Sequence, residues 1–87
     1  MVINFPIPGP TERLRLWETA IPEAYSLAAN VNLKAIADRF DVSGGSIINV
    51  VRHCALRAAM RGNPTIMEAD FQEGLRKEYT KAGRIMN

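Results

Sequence analysis

The placement of the prolines constrains the fold of this chain more than any other feature. Three of the five prolines stand close together, at Pro6, Pro8 and Pro10, and proline has no backbone N–H and clashes with the preceding turn of a helix. The stretch before Pro10 therefore forms neither a helix nor a central strand. Pro22 and Pro64 interrupt the chain again, because the residue before a proline disfavours the helical conformation. Helices are confined to the intervals between these breaks.

Two helices are predicted in the first half of the chain. Apolar residues recur there at three- and four-residue spacing, which indicates helices with one buried face. Helix one is predicted over residues 11–20, with Pro10 in a first turn that needs no N–H from it. A loop of weak helical character is expected at residues 23–29. Helix two follows Asn32, whose side chain is a good N-cap.

The second half predicts two longer helices. Ser43 can cap helix three, which stops at Gly62-Asn63-Pro64. A brief extended piece at Thr65-Ile66 precedes helix four, predicted over residues 68–81. The chain before Pro6 looks like the end of a strand whose sheet is missing. The predicted fold class is therefore all-α, a small four-helix bundle with a short extended N-terminal segment.

Composition bounds the function without identifying it. A chain of 87 residues makes one small domain with a modest core. It carries a net charge of +2, which is too weak to indicate nucleic acid by itself. The sequence shows neither a membrane-length apolar run nor a signal peptide, so no membrane association and a cytoplasmic setting are expected. The single cysteine, Cys54, lies in an apolar run and is expected in the core.

No constellation of catalytic or metal-binding residues is found. The sequence has no phosphate loop that ends in Lys-Ser or Lys-Thr, and its one histidine has no serine, cysteine or metal partners. Catalysis by this chain alone is not expected. His53 is interpreted as a solvated or hydrogen-bonded surface residue, and Arg52, Arg57 and Arg61 as a wet helix face, with a binding patch as the alternative. The segment 76–84 mixes charges of both signs and is expected to stay solvated.

Gly44-Gly45, at the start of helix three, is open to three hypotheses. In a helix-turn-helix the first residues of the second helix read DNA bases, but glycine has no side chain for this and Arg52 is two turns away. The same glycines would let the backbone approach a nucleotide closely, at a helix end that favours negative charge. The third hypothesis is a purely structural turn in a helical protein-interaction domain.

The order of these segments over nearly the whole chain resembles the C-terminal helical lid of an AAA+ ATPase. The resemblance is carried by Val2-Ile3-Asn4-Phe5-Pro6-Ile7-Pro8, Arg13-Leu14-Arg15-Leu16-Trp17 with Ile21-Pro22, Asn32-Leu33-Lys34-Ala35-Ile36-Ala37, Ser43-Gly44-Gly45-Ser46-Ile47-Ile48-Asn49-Val50-Val51 with Cys54-Ala55 and Ala58, and Ile66 with Asp70-Phe71. It implies the end of a core strand and a hinge at residues 1–10, the lid at 11–84 and a tail at 85–87.

In that family ATP lies between a large α/β domain and the lid. The resemblance implies that Gly44, Gly45 and Ser46 approach the adenine and ribose. It also implies that the lid's partners are the α/β domain of the same protein and the neighbouring subunit of a ring. The phosphate loop and the catalytic residues would belong to the α/β domain, so ATPase activity would be a property of the parent protein. Nucleic acid is not an expected partner for a separate reason: the net charge is weak and the glycines have no side chain to read a base.

The sequence departs from the family pattern at three positions. A ribose-contacting histidine is common near the end of the first lid helix, where this chain has Ala20. Other branches carry a sensor arginine where Ser46 stands. Met67 occupies the expected N-cap of helix four, so that helix start is predicted to fray. Nucleotide contact from this lid is therefore expected to come mostly from backbone and apolar surface.

Overall fold

The computed structural model of the protein describes residues 8–85, which contain four helices and two very short strands. In chain order the elements are α1 (Pro10–Ala20), β1 (Ser26–Leu27), α2 (Leu33–Arg39), α3 (Gly44–Arg61), β2 (Thr65–Ile66) and α4 (Glu68–Lys81). All four predicted helices are present, and the first begins one residue earlier than expected. The predicted strand end and most of the hinge lie outside the described residues.

The predicted caps explain where the helices begin and end. The Asn32 side chain accepts a hydrogen bond from the amide of Ala35 at 3.1 Å, so it satisfies one of the free donors at the start of α2. The Ser43 hydroxyl does the same for the amide of Ser46 at 3.2 Å. At its other end α3 stops at Gly62, which has a left-handed φ of 70°, a conformation that glycine adopts without strain.

The all-α prediction is confirmed only in part: the domain is mostly helical with four helices, but β1 and β2 also form a two-stranded parallel sheet. Ser26 pairs with Thr65 and Leu27 with Ile66, and the ladder continues as Ala28 N–H donates to the Ile66 carbonyl at 2.9 Å. The extended piece at Thr65-Ile66 was predicted, but residues 23–29 were given weak helical character. Two-residue strands carry no periodicity that a sequence pattern can reveal.

The core is built around α3, which packs against both α1 and α4. Trp17 of α1 meets Phe71 of α4 edge to face, with ring centroids 5.7 Å apart, and both side chains are fully buried. Cys54 is buried as predicted. Burial raises the pKa of its thiol to about 12, so it stays protonated and serves as a small apolar group.

Two arginines, the buried Arg13 and the exposed Arg61, connect the ends of neighbouring elements. Arg13 donates to the Ala37 carbonyl at 2.7 Å and to the Pro8 carbonyl at 2.7 Å. It therefore joins α1 to α2 and to the chain that enters the domain. Arg61 donates to both carboxylate oxygens of Asp70, at 3.0 and 2.8 Å, so it is not simply part of a wet helix face.

The prediction that the start of α4 frays was wrong, because Asp70 stabilises it. Its carboxylate accepts from the backbone N–H of Met67 at 2.9 Å, which is the half of a capping box that does not require a polar residue at the N-cap. Because Arg61 holds the same carboxylate from the other side, the helix start is fixed without a serine or threonine at position 67.

Candidate functional site

The turn between α2 and α3 presents the two glycines on the surface. Phe40 and Val42 on either side of Asp41 are buried, at 4% exposure each, and so anchor the turn. Ser43 then opens α3, and the Ile47 amide donates to its carbonyl at 3.0 Å. Gly44 and Gly45 make up the first turn, whose backbone N–H groups have no acceptor within the helix.

Neither glycine is required by the backbone or by packing. Among the described glycines only Gly62 and Gly83 have positive φ. A Cβ added to Gly44 would lie 3.8 Å from Leu16 Cδ1, and one added to Gly45 would lie 4.0 Å from Ser43 Oγ. Both are ordinary van der Waals distances, so an alanine would fit at either position.

Gly44 borders an apolar groove between the end of α1 and the first turns of α3, here called the α1–α3 groove. It consists of two adjoining depressions of about 190 Å³ and 330 Å³ that share Ala20 and Ile48. Its walls are Leu16, Thr19, Ala20, Pro22, Gly44, Ile47, Ile48, Val51, Arg52 and Ala55. The Thr19 hydroxyl donates to the Arg15 carbonyl at 2.8 Å, so Arg52 is the strongest polar group available at the groove.

The structure brings some of the predicted site residues together and separates others. Gly44 and Ala20, which stands at the position of the family's ribose histidine, line the same depression. Gly45 is exposed beside them. Ser46 instead lines a different depression together with Glu78 and Tyr79 of α4. Gly44 and Ser46 therefore face different parts of the surface.

Sequence reasoning missed the contribution of Ile48 and Arg52 to the groove. Ile48 directly follows the buried Ile47 and is itself 49% exposed. A sequence signal for this surface does exist: Ile48, Arg52, Leu56 and Met60 are spaced four residues apart and therefore line one face of α3. Leu56 and Met60 are also exposed, at 60% and 69%.

The segment 76–84 was predicted to be solvated, and this was wrong for two of its residues. Glu78 and Tyr79 are buried, at 9% and 7% exposure. Arg84 stacks on Tyr79, with its guanidinium carbon 4.3 Å from the ring centroid, and pairs with the Asp41 carboxylate. The hydrogen bond from Arg84 holds the pKa of Asp41 below its usual range.

His53 is hydrogen-bonded, as predicted, although its side chain is only 13% exposed. Its Nε2 lies 3.1 Å from a Glu73 carboxylate oxygen, and its Nδ1 lies 3.4 Å from Lys77 Nζ. Arg57 contacts the same Glu73 oxygen at 3.4 Å. Within residues 8–85 no group of histidine, cysteine and acidic side chains is arranged to hold a metal ion.

Comparison with known proteins leaves the site to be interpreted on its own chemistry. No protein-family model matches the sequence, and no curated protein matches it significantly. Across the described part of the chain, none of the helices has the length and apolar character needed to cross a membrane.

Proposed function

We propose that this domain is the lid of an AAA+ ATPase and that the α1–α3 groove closes over the nucleoside end of ATP. The proposal is supported by the four helices, which occupy the segments that carry the family resemblance in the sequence. In this proposal the α/β domain of the same protein supplies the phosphate site and the catalytic groups. The lid transmits nucleotide-dependent motion to the neighbouring subunit of a ring through a hinge-type movement.

The observation that carries the proposal is the pair of glycines that the fold does not need. Glycine in a helix costs up to about 1 kcal/mol relative to alanine. At Gly44 and Gly45 neither a positive φ nor a close neighbour of the missing Cβ offsets that cost. Close approach of a ligand to the backbone is a physical reason for keeping both side chains absent.

The groove suits the apolar and electrostatic demands of a nucleoside. Ala20, Ile48 and the other aliphatic walls can pack against a base, since ligand sites are mostly apolar with few polar groups. The positive end of the α3 dipole lies at Gly44 and Gly45 and favours the partial negative charge on the ribose oxygens and ring nitrogens of a nucleoside. The lid therefore contacts the nucleoside through its apolar surface and its backbone. It is not expected to recognise the base through side-chain hydrogen bonds.

The test is to place a side chain at the glycine turn in the natural protein that carries this domain. Gly45→Val adds a branched side chain at an exposed position. We expect it to raise the Kd for ATP at least about tenfold, which corresponds to about 1.4 kcal/mol. The matched control is Ala59→Val, an addition at an exposed residue near the far end of the same helix, which should leave the Kd within about twofold.

An unchanged ATP affinity in a folded Gly45→Val protein would show that the backbone contact is wrongly assigned. The coding sequence upstream of Met1 gives a second test. A phosphate loop roughly 150–200 residues upstream, within the length of an ordinary domain, would support the proposal. Salt-dependent binding of the chain to duplex DNA with clear sequence discrimination would favour the helix-turn-helix alternative instead.

A further inference from the structure

The chain that follows α4 reverses direction and contacts the turn before α3. Gly83 has a left-handed φ of 70°, and its amide donates to the Thr80 carbonyl at 3.0 Å, while the Arg84 amide donates to the Tyr79 carbonyl at 2.8 Å. These two bonds form a Schellman motif, which reverses the chain at the end of a helix. The reversal places Arg84 against α4 rather than beyond it.

Arg84 joins this reversed chain to the turn before α3. Its guanidinium pairs with the Asp41 carboxylate and lies over the Tyr79 ring. The Tyr79 hydroxyl donates to the same carboxylate at 3.3 Å. Asp41 is thus held by two groups of the α4 end, only two residues before the Ser43 cap.

A second contact holds the other side of the turn. Burial raises the pKa of the Glu78 carboxyl, but hydrogen bonds from Lys81, Asn49 and Ser46 outweigh this effect and leave the pKa below its usual range. The Asn49 side-chain amide donates to the Glu78 carboxylate at 3.3 Å, one turn of α3 after Gly45. The last turn of α4 therefore contacts the chain both before and after the two glycines.

We propose that Asp41, Tyr79 and Arg84, here called the α4 latch, position the first turn of α3 for the nucleotide contact. This inference rests on the proposed function for its ligand, but its mechanical part concerns this chain alone. Arg84 and Asp41 touch no nucleotide in this scheme, so they are positioning residues. Displacement of the chain after Gly83 separates Arg84 from Asp41. The first turn of α3, which contains Gly44 and Gly45, is then held less rigidly.

The effect is expected to be local rather than global. The side chains of Arg84 and Asp41 are 44% and 58% exposed, and exposed ion pairs contribute little to overall stability. Phe40 and Val42 remain buried when the latch opens, so the bundle stays folded. The change is confined to the cap and the first turn of α3, the kind of opening that amide hydrogen exchange detects.

The experiment measures amide exchange by NMR in the chain carrying Arg84→Gln. We expect the Ser46 and Ile47 amides, which donate to Ser43, to exchange roughly threefold faster or more, while the amides of the last turns of α3 do not change. Arg76→Gln is the matched control, because Arg76 is exposed on α4 and its substitution removes the same charge. Arg84→Lys should restore part of the protection.

Two results would overturn the latch. One is that Arg84→Gln accelerates these amides no more than Arg76→Gln does. The other is that exchange rises equally along all of α3, which would mean general destabilisation. The outcome is separable from the fate of the proposed function: if Arg84→Gln frees the turn while Gly45→Val leaves ATP affinity unchanged, the latch stands and the nucleotide contact fails.

Discussion

At the scale of single residues, the glycines of this domain serve different physical purposes. Gly62 and Gly83 permit left-handed turns at helix ends. Gly74 of α4 lets two helices touch, because a Cβ there would lie 2.9 Å from Val50 Cγ1 and 3.3 Å from Val50 Cα. Gly44 and Gly45 meet neither need, and for this reason we propose that they contact a ligand.

Alanine substitutions at two helical glycines should therefore have effects of opposite sign. Gly45→Ala should leave the free energy of unfolding unchanged or raise it by up to about 1 kcal/mol, because alanine is the better helix former. Gly74→Ala should lower it by about 1–3 kcal/mol through overpacking against Val50. Urea unfolding followed by circular dichroism measures both. Destabilisation by Gly45→Ala equal to that by Gly74→Ala would contradict the view that the turn does not need its glycine.

At the scale of elements, the sequence predicted the helices well because their signals are local. Asn32 and Ser43 cap the helices that they were expected to cap. The start of α4 was predicted incorrectly because its cap is not local: the amide of Met67 depends on Asp70, which is fixed in turn by Arg61 from α3. The sequence pattern of α4 alone cannot reveal this contact, because the arginine belongs to α3.

The same Asp70 predicts a pH dependence of stability. The hydrogen bond from Arg61 is the largest cause that lowers the Asp70 pKa below its usual value of 3.8. A carboxyl whose pKa is depressed by folding contributes stability above its unfolded pKa, and this stability is lost as the pH falls through the folded pKa. We therefore expect the free energy of unfolding to fall below about pH 4.

Asp70→Asn separates this contribution from that of the other carboxyl groups. Its amide oxygen can still accept from the Met67 amide, but the charge is gone. The variant should be less stable than the parent sequence at pH 7, by about 2 kcal/mol for a charged hydrogen bond, and the difference should shrink toward pH 3. Urea titrations at both pH values test this, and an equal difference at both would exclude Asp70 as a source of the pH dependence.

At the scale of the whole molecule, long-range contacts are the part that the sequence did not reveal. The bundle follows from helical periodicity and from the breaks at Pro22 and Pro64. The pairing of Leu27 with Ile66 and of Asp41 with Arg84 joins residues far apart in the chain, and nothing in either local pattern identifies its partner. Within the candidate site, Gly44, Gly45 and Ser46 were named from the family resemblance, whereas the groove that Gly44 shares with Ala20, Ile48 and Arg52 required the three-dimensional structure.

The central claim is that ATP lies with its base against the α1–α3 groove, and photolabelling tests it most directly. An ATP analogue with a photoreactive azide on the adenine ring would be bound to the natural protein that carries this domain, then irradiated and mapped by peptide mass spectrometry. We predict labelling within the lid at residues 16–22 and 44–52, suppressed by excess ATP. Two results would contradict the account. One is that the only lid labelling suppressed by ATP lies on the exposed face of α4. The other is that the protein binds the analogue but no residue of the lid is labelled.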